Sequence, residues 1–243
     1  MRILLLGGTS EARSLAARLH PDIEVLSSLA GRVPHPALPV GEVRIGGFGG
    51  VDGLRRWLSD NGVDAVVDAT HPYAATMTAH AAVVCAELRL PHLVLVRPAW
   101  PTGDALVVSS DVEAAKTVAA EPFRRVFLTT GRSGAAAFKD VDAWFLIRAV
   151  TPPDAQDLPR RHQVVLSRGP YRYDDELTLL REHGIDALVT KNSGGQMTRP
   201  KLDAAAALGI AVVMVDRPPL PSGVATVATV DDAVTWVRAM GTT

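Results

Sequence analysis

The chain repeats itself. Residues 1–120 and 121–240 run parallel with a shift of about 120. Leu4-Leu5-Leu6-Gly7-Gly8-Thr9-Ser10 answers to Phe127-Leu128-Thr129-Thr130-Gly131-Arg132-Ser133, and Gly62-Val63-Asp64-Ala65-Val66-Val67 to Gly184-Ile185-Asp186-Ala187-Leu188-Val189. Val96-Arg97-Pro98 answers to Asp216-Arg217-Pro218, and Asp111 and Asp231 open matching helical stretches. A 243-residue chain built this way is expected to form two similar domains, each with its own core. The cleft between two such domains is the natural place for a ligand.

Short β-branched or Leu-rich runs alternate with Ala-rich helical patterns, the signature of a parallel sheet flanked by helices. The expected fold is α/β: two similar Rossmann/flavodoxin-like parallel-sheet domains related by an internal repeat, with an interdomain cleft. Strands are predicted at 3–6, 23–27, 43–45, 65–68 and 93–96, then at 126–129, 144–148, 164–167, 187–190 and 211–215. The proline-rich stretch 98–104 is read as a linker between an NADP-binding domain, 1–97, and a second domain, 105–243. The terminal strand–helix unit of each half is left free to pack on either domain.

Apolar residues make up 47% and the net charge is −1, which gives no sign of a nucleic-acid or membrane surface. No apolar run reaches the ~18 residues that span a bilayer. The opening Met1–Leu6 runs straight into a glycine turn and reads as a buried strand rather than a secretion signal. The single Cys85 excludes an intrachain disulfide and a Cys-rich metal site, and reads as a small buried apolar residue. A cytoplasmic monomer or homodimer is expected. Every basic residue except Lys116, Lys139, Lys191 and Lys201 is arginine, the side chain that grips carboxylates and phosphates in two-pronged fashion.

Ligands of open parallel sheets bind beyond the carboxyl ends of the strands. Four loops lie there. Gly7, Gly8, Thr9, Ser10 and Glu11 sit between a buried strand and an Ala-rich helix, where a dinucleotide turn belongs. Thr9 and Ser10 offer hydroxyls to phosphate, and Ser10 is placed to cap the helix. The same residues would also make a plain strand–helix turn. After the second strand there is no acid to hold a ribose 2′-hydroxyl. Ser27, Ser28, Gly31 and Arg32 stand there instead, a set that suits a 2′-phosphate and so NADP, unless Arg32 is only a solvated loop residue. In the second half, Thr130, Gly131, Arg132 and Ser133 have an anion-binding composition.

The loops after the fourth strands diverge. One holds Thr70, His71 and Tyr73; the other holds Lys191, Asn192, Ser193, Gly194 and Gly195, with Thr198 as the expected cap of the next helix. His71 or Tyr73 could donate a proton, though a hydrogen-bonded loop histidine and a stacking tyrosine fit equally well. No metal site, nucleophile elbow or P-loop is present in the sequence.

Taken together, Gly7-Gly8-Thr9-Ser10-Glu11-Ala12-Arg13, Asp68-Ala69-Thr70-His71-Pro72-Tyr73-Ala74, Arg97-Pro98-Ala99-Trp100, Thr130-Gly131-Arg132 and Thr190-Lys191-Asn192-Ser193-Gly194-Gly195 resemble the precorrin-6A reductases of cobalamin biosynthesis over the whole length. The resemblance implies that NADPH delivers a hydride to a polycarboxylate macrocycle, giving precorrin-6B. It also implies uses for arginines near strand ends: Arg97, Arg132, Arg148, Arg168, Arg172, Arg199 and Arg217. Two other readings fit two similar α/β domains: a cofactor-free tetrapyrrole lyase or synthase, and a two-lobed small-molecule binding protein.

Overall fold

A computed structural model of the chain describes residues 1–31 and 37–241. The first half contains β1 (Arg2–Leu6), α1 (Ser10–Leu19), β2 (Glu24–Leu29), β3 (Glu42–Ile45), α2 (Gly50–Asp60), β4 (Ala65–Asp68), α3 (Ala75–Leu88), β5 (His92–Leu95), β6 (Leu106–Val108) and α4 (Asp111–Ala120). The second half contains β7 (Arg125–Leu128), a 3₁₀ helix (Arg132–Phe138), β8 (Trp144–Ala149), β9 (Arg161–Leu166), α5 (Tyr173–Glu182), β10 (Ala187–Lys191), α6 (Pro200–Ala207), β11 (Ala211–Val215), β12 (Ala225–Val227) and α7 (Val230–Met240). A one-turn 3₁₀ helix, Ala155–Asp157, precedes β9.

Among the described residues the strands form two six-stranded sheets, and every pairing is parallel. Their orders are β3-β2-β1-β4-β5-β12 and β9-β8-β7-β10-β11-β6. These are the same doubly wound order, with the turning point beside the first strand of each half. The α/β class and the two similar domains expected from the sequence are what the chain adopts.

The outermost position is where the halves trade material. The first sheet is finished by β12, from the end of the chain, and the second by β6, from the end of the first half. One compact unit is therefore residues 1–98 plus 218–243, and the other is 99–217. This corrects the expected domain spanning 105–243. The reason is packing: Ala233, Val234 and Val237 of α7 are buried in one core with Leu15, Ala16 and Leu19 of α1. It also shortens the expected linker 98–104. Trp100 is buried, and its indole N–H donates to Gly195 O at 2.8 Å within the second unit.

The core of the first unit follows from strand geometry. Successive side chains of a strand face opposite ways. Ile3 and Leu5 enter the core under α1 and α7, while Leu4 and Leu6 enter the one under α2 and α3. A strand covered on both faces must be apolar at every position, and Arg2–Leu6 reads so after its first residue. In the second unit Phe127, Leu146 and Leu188 pack against Leu180, Ala204 and Ala205 of α5 and α6.

Candidate active site

In the first unit the sheet's turning point lies between β1 and β4. The backbone leaves β1 through Gly7 and Gly8. A Cβ on Gly7 would meet Ala12 Cβ at 3.4 Å and Leu29 Cδ2 at 3.5 Å, so the start of the helix packs close over this residue. Gly8 has φ +114° with open space around it, a conformation that favours glycine. Thr9, not the expected Ser10, caps α1. Its oxygen accepts from Ala12 N at 3.1 Å, and its hydroxyl donates to Ala69 O at 2.7 Å. One side chain thus ties the loop after β1 to the loop after β4. The Thr9 hydroxyl hydrogen is committed to that link, and the Ala12 and Arg13 N–H groups donate back to Thr9.

Ser10 Oγ donates to Glu11 Oε2 at 2.9 Å, and Glu11 pairs with Arg97 at 2.9 Å, both half-buried. Burial alone would raise the Glu11 carboxyl. The Arg97 charge and hydrogen bonds from its own backbone N–H, Ser10 and Arg97 prevail and hold it below its usual range. Thr9, Glu11, Thr70, Pro72, Leu95 and Arg97 line a small depression here. A larger hollow of about 470 Å³ lies at the opposite, amino ends of the strands. Its one acidic side chain, Asp64, is engaged by Arg2 N at 2.7 Å. Strand-end chemistry belongs to the other edge.

Asp68 closes β4 and is 1% exposed. Its Oδ1 accepts from Thr70 N at 2.9 Å and Thr70 Oγ1 at 2.6 Å, and its Oδ2 from Thr78 Oγ1 at 2.6 Å. The carboxylate shapes the turn that presents His71 and Tyr73. His71 Nδ1 accepts from Tyr73 N at 3.3 Å, and the two rings lie 5.6 Å apart. Asp68 also reaches two neighbours. Burial, and secondarily this carboxylate, pushes the Cys85 thiol up to about 12; burial lowers the His92 imidazole against its opposing pull.

Beside the glycine turn, Gly7 N donates to Ser28 O at 2.9 Å. Ser28 thus adjoins it, Gly31 lies against Ile45 and Gly46 instead, and Arg32 lies outside the described residues. Arg44, on β3, donates to Ser28 Oγ at 2.7 Å; it was not singled out from sequence.

The second unit has the same turning point with other chemistry. Gly131 has φ +85°, and a 3₁₀ helix without a side-chain cap follows, in place of a full α-helix. Thr130 is 5% exposed, and its Oγ1, like Asp111 Oδ1, is buried without a hydrogen-bond partner among the described residues. Lys191 Nζ donates to Thr130 O at 2.9 Å and lies 3.3 Å from Asp111 Oδ2, tying the loops after β7 and β10 together.

The next loop is held by its carbonyls. Arg217 Nε donates to Asn192 O at 2.8 Å, the Trp100 indole to Gly195 O, and Lys201 Nζ to Thr198 O at 3.2 Å. The Asn192 side chain clamps Trp100, accepting from its N at 2.8 Å and donating to its O at 3.1 Å. Gly194, which is buried, and Gly195, half-buried, take φ +68° and +76° at this bend, a conformation that favours glycine. Thr198 is not the expected cap. Helix α6 starts at Pro200 after Arg199, without a side-chain cap, because proline itself sets the first helical φ.

Behind the loop, Arg148 and Glu176 form a buried two-pronged pair at 2.8 and 2.7 Å. Arg148, one of the arginines expected near ligand, is 7% exposed and stacks on Tyr171 at 4.1 Å. Lys201 is 5% exposed with its Nζ 5.0 Å from the Trp100 ring. Burial first, then the Arg148 charge, pushes its amine down to about 7 against the pull of Glu176. Arg132 and Ser133 begin the 3₁₀ helix, both at its exposed or half-buried start. Among the described residues no helix is long and apolar enough to cross a membrane, and no three His, Cys, Asp or Glu side chains group as metal ligands.

Comparison with known proteins agrees with this architecture. Residues 2–238 match the family model described as Precorrin-6x reductase CbiJ/CobK. The chain is 67% identical over 239 residues to the precorrin-6A reductase of Mycobacterium tuberculosis, covering 98% of each protein. It is 52% identical over 241 residues to that of Rhodococcus erythropolis, covering 97% of each. The solved structure of CobK precorrin-6A reductase superposes with a TM-score of 0.91 at 35% identity, over 99% of this chain and 97% of that one. With the glycine turn, the Asp68-Ala69-Thr70-His71-Pro72-Tyr73 loop and the doubly wound pair of sheets in place, the chain belongs to the precorrin-6x reductase family.

Proposed function

We propose that this protein is an NADPH-dependent precorrin-6A reductase of cobalamin biosynthesis, adding a hydride to a ring double bond of the macrocycle to give precorrin-6B. The observation that carries the reading is the Gly7-Gly8 turn at the start of a capped helix, at the turning point of the β3-β2-β1-β4-β5-β12 sheet. The residues present fit a dinucleotide. Gly8 faces open space, and α1 starts close against Gly7, so the positive end of its dipole lies at the turn.

In this reading Gly7, Gly8, Ser10 and Glu11 shape the pyrophosphate side, with the Glu11 carboxylate held back by Arg97, Ser10 and its own N–H. Ser28, Gly31 and Arg32 take the adenosine end. In the second unit Thr130, Gly131, Arg132 and Ser133 are candidate anion donors at the corresponding turn. Thr70, His71, Tyr73 and Arg97 of the first unit, and Lys191–Gly195 of the second, are candidate substrate groups, each by itself, for a macrocycle whose acetate and propionate carboxylates call for dispersed cations and N–H donors. When bound, NADPH supplies the hydride; the protein's part is orientation and the accompanying proton. For that proton the candidates are His71 and Tyr73, beside solvent and a proton already carried on a ring nitrogen of the substrate. With His71 Nδ1 accepting from Tyr73 N, the neutral ring carries its hydrogen on Nε2.

Anaerobic incubation with precorrin-6A should oxidise one NADPH per macrocycle reduced, with NADH markedly poorer. A chain that binds the macrocycle yet oxidises neither nucleotide is not a reductase. Replacing both proton candidates, His71→Ala with Tyr73→Phe, should lower the single-turnover rate and flatten its pH profile. An unchanged rate removes both from that role.

A further inference from the structure

We propose that Arg44, with Ser28, grips the 2′-phosphate of the nucleotide and so sets the preference for NADPH over NADH, a step that rests on the reductase reading above. The starting point is register. Cα pairings run Arg44–Ser28, Ser28–Leu6, Leu6–Asp68 and Asp68–Val94, so one row crosses the sheet at its carboxyl edge. Residues in one row of a parallel sheet share a face. Arg44 thus stands in line with the end of β2, where a doubly wound sheet reads the adenosine ribose.

Its surroundings lack what an arginine usually has. The guanidinium donates only to neutral oxygens: Ser28 Oγ at 2.7 Å, Gly46 O at 3.0 Å and Gly47 O at 3.2 Å. It stacks on Phe48 with its carbon 3.9 Å from the ring centroid. No carboxylate pairs with it among the described residues, and residues 32–36 contain no acid. This half-buried cation is desolvated without a counter-charge, and burial accordingly lowers its pKa. A dianion is the missing partner, and a planar five-donor group is suited to a phosphate.

Access and continuity point the same way. A Cβ on Gly46 or Gly47 would meet nothing within 4 Å among the described residues, so the turn that accepts from the guanidinium leaves room beside it. Gly31 packs against Gly46, which brings the loop after β2 to the same corner. Ser28 links Arg44 to the phosphate turn: its hydroxyl accepts from Arg44 while its carbonyl accepts from Gly7 N. The bland role for Arg44 is to hold the Gly46–Gly47 turn against Phe48. That role does not distinguish ligands with and without a 2′-phosphate.

The test is calorimetric binding of adenosine 2′,5′-bisphosphate and of 5′-AMP to the full chain, beside fluorescence titration with NADPH and NADH. Arg44→Gln should weaken the bisphosphate about tenfold or more and AMP by no more than about twofold, with the NADPH:NADH preference shrinking by the same factor. Arg44→Lys should recover most of the loss. Parallel weakening of bisphosphate and AMP, or no weakening, overturns the proposal while wild-type NADPH binding leaves the reductase reading intact. A wild type that binds neither NADPH nor the bisphosphate overturns both. If Arg44→Gln does not fold, Ser28→Ala serves instead. A loss of about threefold on the bisphosphate alone supports the site, and equal or no loss on both ligands overturns it.

Discussion

The two units turn their sheets at the same place and stitch the turn differently. In the first, a neutral hydroxyl, Thr9, bridges to Ala69 O and caps a ten-residue helix. In the second, the charged amine of Lys191 bridges to Thr130 O, with Asp111 beside it, and a 3₁₀ helix follows. The first crevice offers fixed backbone donors at a helix end. The second offers side-chain cations and a glycine bend whose carbonyls are tied back. Identical topology thus carries two different sets of polar groups: a helix end closed by a neutral hydroxyl, and an ammonium held between a carbonyl and a carboxylate.

The contrast is sharpest in the buried charges. In the second unit Glu176 neutralises Arg148 and faces Lys201, so Glu176→Ala should cost about 3–5 kcal/mol, read from the urea midpoint. A loss below about 1 kcal/mol would mean that solvent reaches the pair. In the first unit Asp68 is held by hydroxyls and one N–H, which can rotate or hydrate. Asp68→Ala should therefore cost less, about 2–3 kcal/mol, and should also disturb the His71–Tyr73 turn.

Titration separates the units by sign. Lys201 releases its proton near 7 in the fold and near 10.5 when unfolded. Between these values the unfolded chain holds the extra proton, so stability climbs with pH, at most about 1.4 kcal/mol per pH unit. Cys85 behaves oppositely: it ionises near 9 unfolded and about 12 folded, and its contribution falls as pH passes 9. Urea midpoints should rise from pH 7 to 9 and level beyond. Lys201→Met should abolish the rise, and Cys85→Ala should extend it. The smallest effect is expected at the cap: Thr9→Val should cost about 1 kcal/mol. It should also weaken NADPH, whereas Thr129→Val, at the corresponding strand end of the second unit, should leave NADPH affinity unchanged.

Much of this was legible in the chain. Runs such as Leu4-Leu5-Leu6 and Ala65–Asp68 can only be strands covered on both faces, and the predicted 65–68 and 211–215 match β4 and β11. The edge strands were harder. β6 and β12 are three residues long, and Leu106 and Val107 are exposed, so nothing local says which sheet they join. The cap shifted from Ser10 to Thr9 because both carry hydroxyls, and only the end of β1 decides between them. Asp68 was visible as a loop residue, but its role depends on Thr78 on the next helix. Arg148, Glu176 and Lys201 are brought together by packing, with no spacing to announce them. Arg44 could have been noticed: a lone cation near a strand end, followed by Gly46-Gly47-Phe48-Gly49-Gly50.

The exchange of outer strands carries a consequence for biosynthesis. The first sheet cannot be completed when its own residues leave the ribosome, because β12 and α7 are translated last. At about 5–20 residues per second, roughly six to twenty-six seconds separate the emergence of Leu95 from that of Ala225. Throughout that interval β5 presents an unpaired flank, and Leu15 and Leu19 lack the cover of Val234 and Val237. The second unit, by contrast, already has β6 in hand before β7 is made. The half that begins first is the half that finishes last.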